Sequence, residues 1–504
     1  MTSGGLQFPW RLNRPLLVAI CVAGLLLGSL VMSLTSFTVI DDEAIIGLMV
    51  DLPFRLMLQA SPSLEHPPLF EILQWVWIRV VGNGVAARRA HSLIYVAIAM
   101  AVAWPMLVRC FGHTLAAYAF ALTFASPFLF LFAHPAMWYM PHYAFLMVSM
   151  ALLTRLLEGD WRRWIFTSFV AVNIGMVYLN YFSWVFFALY ILHAVLSRAG
   201  WPVIRRLVGA HLLTAVAFLP LMPMFLGLAP TYTGIPWNLL AIGRRIAYFL
   251  FVLTVGESVP LSAWYLSLTA AVLTGFGIAF LLLRRHLPAG WFLFATVFGG
   301  ALFIGSLFGV FETAKRATML AGLYGILLGS LLGTAARLRP LLAGVLVLGL
   351  IGCWGISYSN LVSRRDFIAY RWVEPWPAVA RFMAKELRAE DLVVNYHPSL
   401  DFYLRQEGIK ALIYSPLDPS TLGVLQRHTV NRRVWYFRTA MLQMHRDRAS
   451  LTLLEEFLKT HYRLAREQVL QPDPWAPTKR KLFPGHYYPD VRIHLFLYEP
   501  GQHP

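Results

Sequence analysis

The sequence predicts a polytopic α-helical membrane protein with a C-terminal extracytoplasmic α/β domain, and three observations carry that expectation. Apolar runs of span length recur between residues 16 and 358, arginines fill alternate short loops between them, and the composition turns polar after Tyr358. Of 504 residues, 58% are hydrophobic and 13% charged, against about 25% charged in a soluble domain. The mean hydropathy is +0.60. Together these exclude a soluble globule. A formal net charge of +17 would suggest a nucleic-acid partner in a soluble protein. Here the arginines sit between apolar runs, where cytoplasmic loops concentrate them, so the charge is mainly a topological signal and no nucleic-acid partner is expected.

Arg11 and Arg14 precede an apolar run over 16–37. That run exceeds the ~7–15 residues of a secretory signal core and shows no small-residue cleavage site, so it reads as a retained first span with a cytoplasmic N-terminus. Further runs lie near 90–108, 114–133, 143–157, 164–180, 182–197, 207–228, 262–283, 291–310, 317–335 and 340–358, giving about eleven spans at ~20 residues each. Arg109, Arg155, Arg162, Arg163, Arg198, Arg205, Arg206, Arg284, Arg285, Arg337 and Arg339 then all face inward, as the positive-inside rule requires. The apolar stretch 237–255 would invert the later loops if counted, so an interfacial or re-entrant segment is expected there. Cys21, Cys110 and Cys353 fall in or beside apolar runs and supply neither a disulfide framework nor metal-ligand spacing.

The chain divides at residue 359 into a membrane domain (1–359) and an outer α/β domain (360–504). Strands are expected at 392–394, 411–414, 434–437 and 493–497, and helices at 376–387 and 450–459. The first outer loop, 38–89, holds the densest polar chemistry: Asp41, Asp42 and Glu43 directly after the first span, then Glu65, His66, Pro67 and Pro68. Concentrated negative charge at a membrane surface is expensive and marks a functional site. From Glu43 a polar or small stripe runs through Gly47, Asp51, Arg55 and Gln59, one face of an interfacial helix kinked at Pro53. Pro67 and Pro68 suit the start of a second helix.

These residues resemble the GT-C membrane glycosyltransferases that use polyprenyl-phosphate sugars, among them protein O-mannosyltransferases and the aminoarabinose transferase of lipid A. The resemblance lies in Asp42-Glu43, Glu65-His66-Pro67-Pro68-Leu69, Gly82 with Arg88-Arg89, Lys315-Arg316 and the terminal outer domain. It implies that Asp42 is the catalytic aspartate, supported by Glu43. The residues themselves also allow a plainer role, in which Asp41 to Glu43 cap and start a helix. Asp41 is an extra carboxylate, able to raise a neighbour's pKa or to contact sugar or acceptor.

A leaving phosphate needs cations, and His66, Arg316, Lys315, Arg89 and Arg88 are the candidates, with ordinary snorkelling to headgroups as the alternative for the arginines; Arg244 and Arg245 carry the same alternative. The aminoarabinose branch has a lysine where this chain has His66, which is not a permanent cation. Glu65 with His66 offers two ligands for a divalent ion; no other cofactor is implied. In the second outer loop, Trp138, Tyr139 and His142, and at the next outer turn Tyr181, suit either stacking on sugar and polyprenyl chain or an aromatic interface belt.

The resemblance and the chemistry together imply an inverting, metal-optional glycosyltransferase in the bacterial inner membrane, with its C-terminal domain periplasmic and its partners a polyprenyl-phosphate-sugar donor, membrane lipids and an acceptor. A basic outer surface favours an anionic glycolipid of the cell envelope, such as lipopolysaccharide core or lipid A. Protein O-mannosylation is the nearest alternative, and a lipid-linked sugar transporter or flippase the alternative of a different class. A transporter would place ionisable groups deep in several spans, where only His193 and His211 stand.

Overall fold

The computed structural model describes residues 14–61, 66–228, 239–259, 265–266, 318–363, 374–395, 397–409, 412–414, 432–438, 448–470 and 493–500. The described residues cluster into two compact units, one drawn from 1–34, 54–259 and 263–363, the other from 35–53 and 364–504.

In chain order the helices are α1 (Arg14–Met32), α2 (Asp41–Val50), α3 (Phe54–Ala60), α4 (Leu69–Val81), α5 (Val85–Phe124), α6 (Pro127–Phe132), α7 (Tyr139–Leu157), α8 (Arg163–Leu179), α9 (Ser183–Leu196), α10 (Trp201–Phe218), α11 (Met222–Leu228), α12 (Leu239–Val255), α13 (Thr318–Leu338) and α14 (Pro340–Ser363). All except α2 belong to the first unit. Among the described residues, five helices are long and apolar enough to cross a membrane: Pro15–Met32, Val85–Phe124, Tyr139–Leu157, Trp201–Gly227 and Ala343–Ser363. The shorter α8 and α9 coincide with the runs at 164–180 and 182–197, whereas the run at 291–310, and that at 262–283 apart from 265–266, lie outside the described residues. Leu212, Val216, Leu341 and Leu348 are more than half exposed. Such apolar surface is an aggregation liability in water and matches acyl chains in a bilayer.

The 40-residue α5 joins the runs at 90–108 and 114–133, and Gly112 interrupts it with φ 75° and ψ 165°. A side chain there would meet the left-handed penalty that glycine avoids. At this break the expected inner loops meet. Arg109 pairs with Glu158, Asp160 accepts from Arg155 at 2.9 Å and Arg162 at 2.8 Å, and Arg206 lies 5.0 Å over Trp161. Arginines from three of the expected inner loops thus gather around Glu158, Asp160 and Trp161.

The contact between α5 and α13 is built on glycine. Gly325, Gly329 and Gly333 recur at four-residue spacing, one stripe of α13. A Cβ on Gly325 would lie 2.5 Å from Thr123 Cα, and one on Gly329 2.5 Å from the Ala119 backbone nitrogen. Backbone cannot give way as a side chain can. Gly329→Val is therefore expected to destabilise the helical unit by about 1–3 kcal/mol through overpacking, read as a lower thermal midpoint of the full chain in detergent. An unchanged midpoint would show that the helices separate at no cost.

The second unit contains α2, α15 (Trp376–Glu386), α16 (Pro398–Gln406), α17 (Arg448–His461) and five strands: β1 (Leu392–Val394), β2 (Leu412–Tyr414), β3 (Val434–Arg438), β4 (Tyr462–Leu470) and β5 (Ile493–Pro500). The sheet order is β2-β1-β3-β5-β4. β1 is parallel to both β2 and β3, while β5 runs antiparallel to β3 and β4. Its core gathers Trp376, Val379, Met383, Leu392, Val394, Leu404, Val434, Trp435, Tyr436, Leu454, Leu458, Ile493 and Leu495. Immediately before β1, Asp391 accepts from Arg433 Nη2 at 2.6 Å and Nε at 2.9 Å, from Trp435 Nε1 at 2.9 Å and from the Arg388 amide at 3.0 Å.

The polar stripe from Glu43 to Gln59 does not form one kinked helix. α2 ends at Val50 and α3 begins at Phe54, with Pro53 between them denying the helix a backbone donor. Glu43 and Gly47 are buried, while Asp51, Arg55 and Gln59 are exposed.

Candidate active site and a metal-ligating cluster

The first span hands directly on to α2, whose first turn is Asp41, Asp42 and Glu43. Carboxylates there meet the positive end of the helix dipole, while the N-cap position is Ile40 and makes no side-chain cap hydrogen bond. Glu43 is buried, Asp41 and Asp42 half-buried. The segment is tied within the second unit. The Thr38 hydroxyl donates to the Glu374 carbonyl at 2.8 Å, the Val39 amide donates to the Tyr403 hydroxyl at 2.8 Å, and the Ser399 hydroxyl donates to Asp41 Oδ1 at 3.0 Å.

Around Asp41 the fold adds two residues that the sequence did not single out. Glu374 and His397 bring their donor atoms within 4.8 Å of each other and of an Asp41 oxygen. His397 Nε2 is 3.3 Å from Asp41 Oδ1. The Trp376 indole donates to Glu374 Oε2 at 2.9 Å and its rings lie 4.0 Å from the His397 ring. The His397 amide donates to Asn395 Oδ1 at 2.8 Å. Burial, and then the Asp41 charge beside it, push the Glu374 carboxyl well above the usual carboxylate range. The available signal was a Glu-Pro-Trp-Pro and a His-Pro at helix starts; what pairs them with Asp41 is tertiary.

In the helical unit, His66 Nδ1 lies 3.2 Å from the Pro67 carbonyl oxygen and 3.6 Å from Glu71 Oε1. Glu71 is fully buried on α4, and burial raises its carboxyl to about 8. The next turn continues the polar line, with Gln74 Oε1 2.5 Å from His91 Nδ1 and Gln74 Nε2 donating to the Arg88 carbonyl at 3.2 Å. Arg88 and Arg89 are both buried. Arg88 Nε donates to the Asn83 carbonyl at 3.1 Å, and Arg89 Nη1 donates to the Leu34 carbonyl at 2.8 Å, joining the end of the first span to the start of α5.

Trp138, Tyr139, His142 and Tyr181 are also buried. The Trp138 ring is 6.0 Å from both His66 and His142, and His142 Nε2 is 2.8 Å from Ser183 Oγ. His134 is locked by the Phe130 carbonyl at 2.8 Å and Ser33 Oγ at 2.7 Å. Burial, then the nearby Arg89 guanidinium, push its pKa to about 3, which leaves it neutral. Glu65, Lys315 and Arg316, and the side chains of Arg244 and Arg245, lie outside the described residues.

A bundle of apolar helices, a carboxylate-bearing helix that follows the first of them in sequence and a mixed α/β unit from the C-terminal third make up a fold shared with membrane glycosyltransferases of known structure. Residues 65–226 match the family described as dolichyl-phosphate-mannose-protein mannosyltransferase. The fold is similar to that of ArnT from Cupriavidus metallidurans bound to undecaprenyl phosphate, with a TM-score of 0.58 and 13% identity over 95% of this chain and 97% of that one. It is also similar to the oligosaccharyltransferase of Archaeoglobus fulgidus tethered to an acceptor peptide, with a TM-score of 0.50 and 12% identity over 90% of this chain and 72% of the other. A comparison with curated proteins gives no match.

Proposed function

We propose that the protein transfers a sugar from a polyprenyl-phosphate donor to an acceptor hydroxyl, by inverting displacement, at the outer face of a bacterial inner membrane. The N-terminus is cytoplasmic and residues 360–504 are periplasmic. Asp42 takes the proton of the acceptor hydroxyl as its oxygen attacks the anomeric carbon, and polyprenyl phosphate leaves with the bonding electrons. Glu43 supports Asp42. His66, Arg88, Arg89, Lys315 and Arg316 offer the positive charge that the departing phosphate needs. Trp138, Tyr139, His142 and Tyr181 shape the apolar surroundings of sugar and lipid.

The single observation that carries this reading is Asp42 in the first turn of a helix that directly follows the first apolar helix, in a fold shared with a protein solved with undecaprenyl phosphate. A basic outer face, to which Arg88, Arg89, Lys315 and Arg316 contribute, favours an anionic glycolipid acceptor such as lipopolysaccharide core or lipid A. A protein hydroxyl is the second reading, favoured by the mannosyltransferase family match. The test is transfer from a panel of radiolabelled polyprenyl-phosphate sugars to membrane extract by the full chain in nanodiscs. A labelled lipid or protein supports the reading and identifies the acceptor. Donor binding without transfer would replace it with carriage of the lipid.

His66 gives a separate expectation. His66→Ala should raise the donor KM about 10–100-fold, the worth of one hydrogen bond to a charged group, with a smaller change in kcat, and His66→Lys should restore most of it. Equal KM values for wild type and His66→Ala would remove His66 from phosphate binding.

A further inference from the structure

We propose that Asp41, Glu374 and His397 hold a divalent cation of the zinc class, a three-ligand site inside the second unit that joins the start of α2 to α15 and α16. The inference goes beyond the transferase reading and does not depend on it.

The donor set is the first ground. Two carboxylates and one imidazole are hard-to-borderline ligands suited to Zn²⁺ or Mn²⁺, and they come from three separate stretches of chain that converge within 4.8 Å. Spacing is the second. Ligand atoms ~2.0–2.2 Å from zinc at a tetrahedral angle stand about 3.4 Å apart, and Asp41 Oδ1 and His397 Nε2 are 3.3 Å apart. The supporting shell is the third. Metal ligands are normally oriented by outer hydrogen bonds, and here Ser399 donates to Asp41, Trp376 donates to Glu374 and packs against the His397 ring, and Asn395 fixes the His397 backbone.

Charge closes the argument. Glu374 and His397 are buried and Asp41 half-buried, and their ligand atoms lie within 4.8 Å of one another, which gathers two carboxylates around one point. A dication with neutral imidazole balances both carboxylates. The competing arrangement, a protonated Glu374 beside an Asp41–His397 ion pair, requires no metal.

The experiment uses the full chain in detergent, stripped with chelator and titrated with ZnCl₂ by calorimetry, and with CoCl₂ by visible absorption. Wild type is expected to bind one equivalent with the intense bands of tetrahedral cobalt. Glu374→Gln and His397→Ala should lose that equivalent, His66→Ala should keep it, and Ser399→Ala should weaken zinc about 10–100-fold. Absence of binding by wild type overturns the proposal in favour of the protonated Glu374. Unchanged binding in Glu374→Gln and His397→Ala, or in Ser399→Ala where those two fail to fold, overturns it in favour of a different site.

Discussion

Asp42→Asn is expected to lower kcat for sugar transfer about 10²–10⁴-fold, the usual contribution of a positioned general base, while leaving donor affinity nearly unchanged. The variant keeps side-chain shape and a hydrogen-bonding oxygen at the first turn of α2, so helix initiation survives. What it loses is the ability to take a proton. Asn at position 42 also removes one of three consecutive carboxylates, which gives a control: Asp41→Asn removes the same charge next door. If charge at the helix start is all that matters, the two variants behave alike; if Asp42 is the base, only Asp42→Asn loses the chemical step. An unchanged kcat in Asp42→Asn would assign proton removal elsewhere.

The second large effect is on stability. Asp391→Ala leaves the Arg433 guanidinium, the Trp435 indole and the Arg388 amide without their shared acceptor at the start of β1. Arg433 is half-buried, so the main cost is that of leaving donors without an acceptor, about 1–3 kcal/mol, and the thermal midpoint of the full chain at pH 7 should drop. The pH dependence has a definite sign. Burial alone raises the Asp391 carboxyl, but the Arg433, Arg388 and Trp435 hydrogen bonds outweigh it and hold the group below its ordinary 3.8. A carboxylate depressed in the folded state contributes stability above its unfolded pKa and loses it as pH falls through the folded one. The gap between wild type and Asp391→Ala should therefore be full near neutrality and shrink below about pH 4. A gap that does not shrink would mean that the lost packing, and not the charge, dominates.

Much of this architecture is legible in the residues because it rests on local periodicity. Long apolar runs become helices, Pro67 and Pro68 precede α4, and the valine- and aromatic-rich stretches at 392, 434 and 493 become strands. β4 escaped because most of Tyr462–Leu470 is solvent-facing and shows no run of apolar residues. α16 escaped because a nine-residue helix with Asp401 and Arg405 on its surface carries too short a period. The glycine stripe of α13 is visible only once α5 is known to be its neighbour.

The candidate site divides in the same way. Asp42 and His66 announce themselves by charge and position, and Glu71 hides as an ordinary helix residue until its burial is known. Glu374 and His397 meet Asp41 across more than three hundred residues of sequence, and a single sequence records no such pairing.

That separation sets a clock on biosynthesis. The Asp41–Ser399 hydrogen bond joins residues 358 positions apart. At about 5–20 residues per second of translation, roughly 20–70 s pass between the emergence of Asp41 and that of the residues that anchor it. Throughout that interval the nascent chain carries its three carboxylates on a segment whose own compact unit does not yet exist. The start of α2 thus acquires its Ser399 anchor only after several hundred further residues have been made.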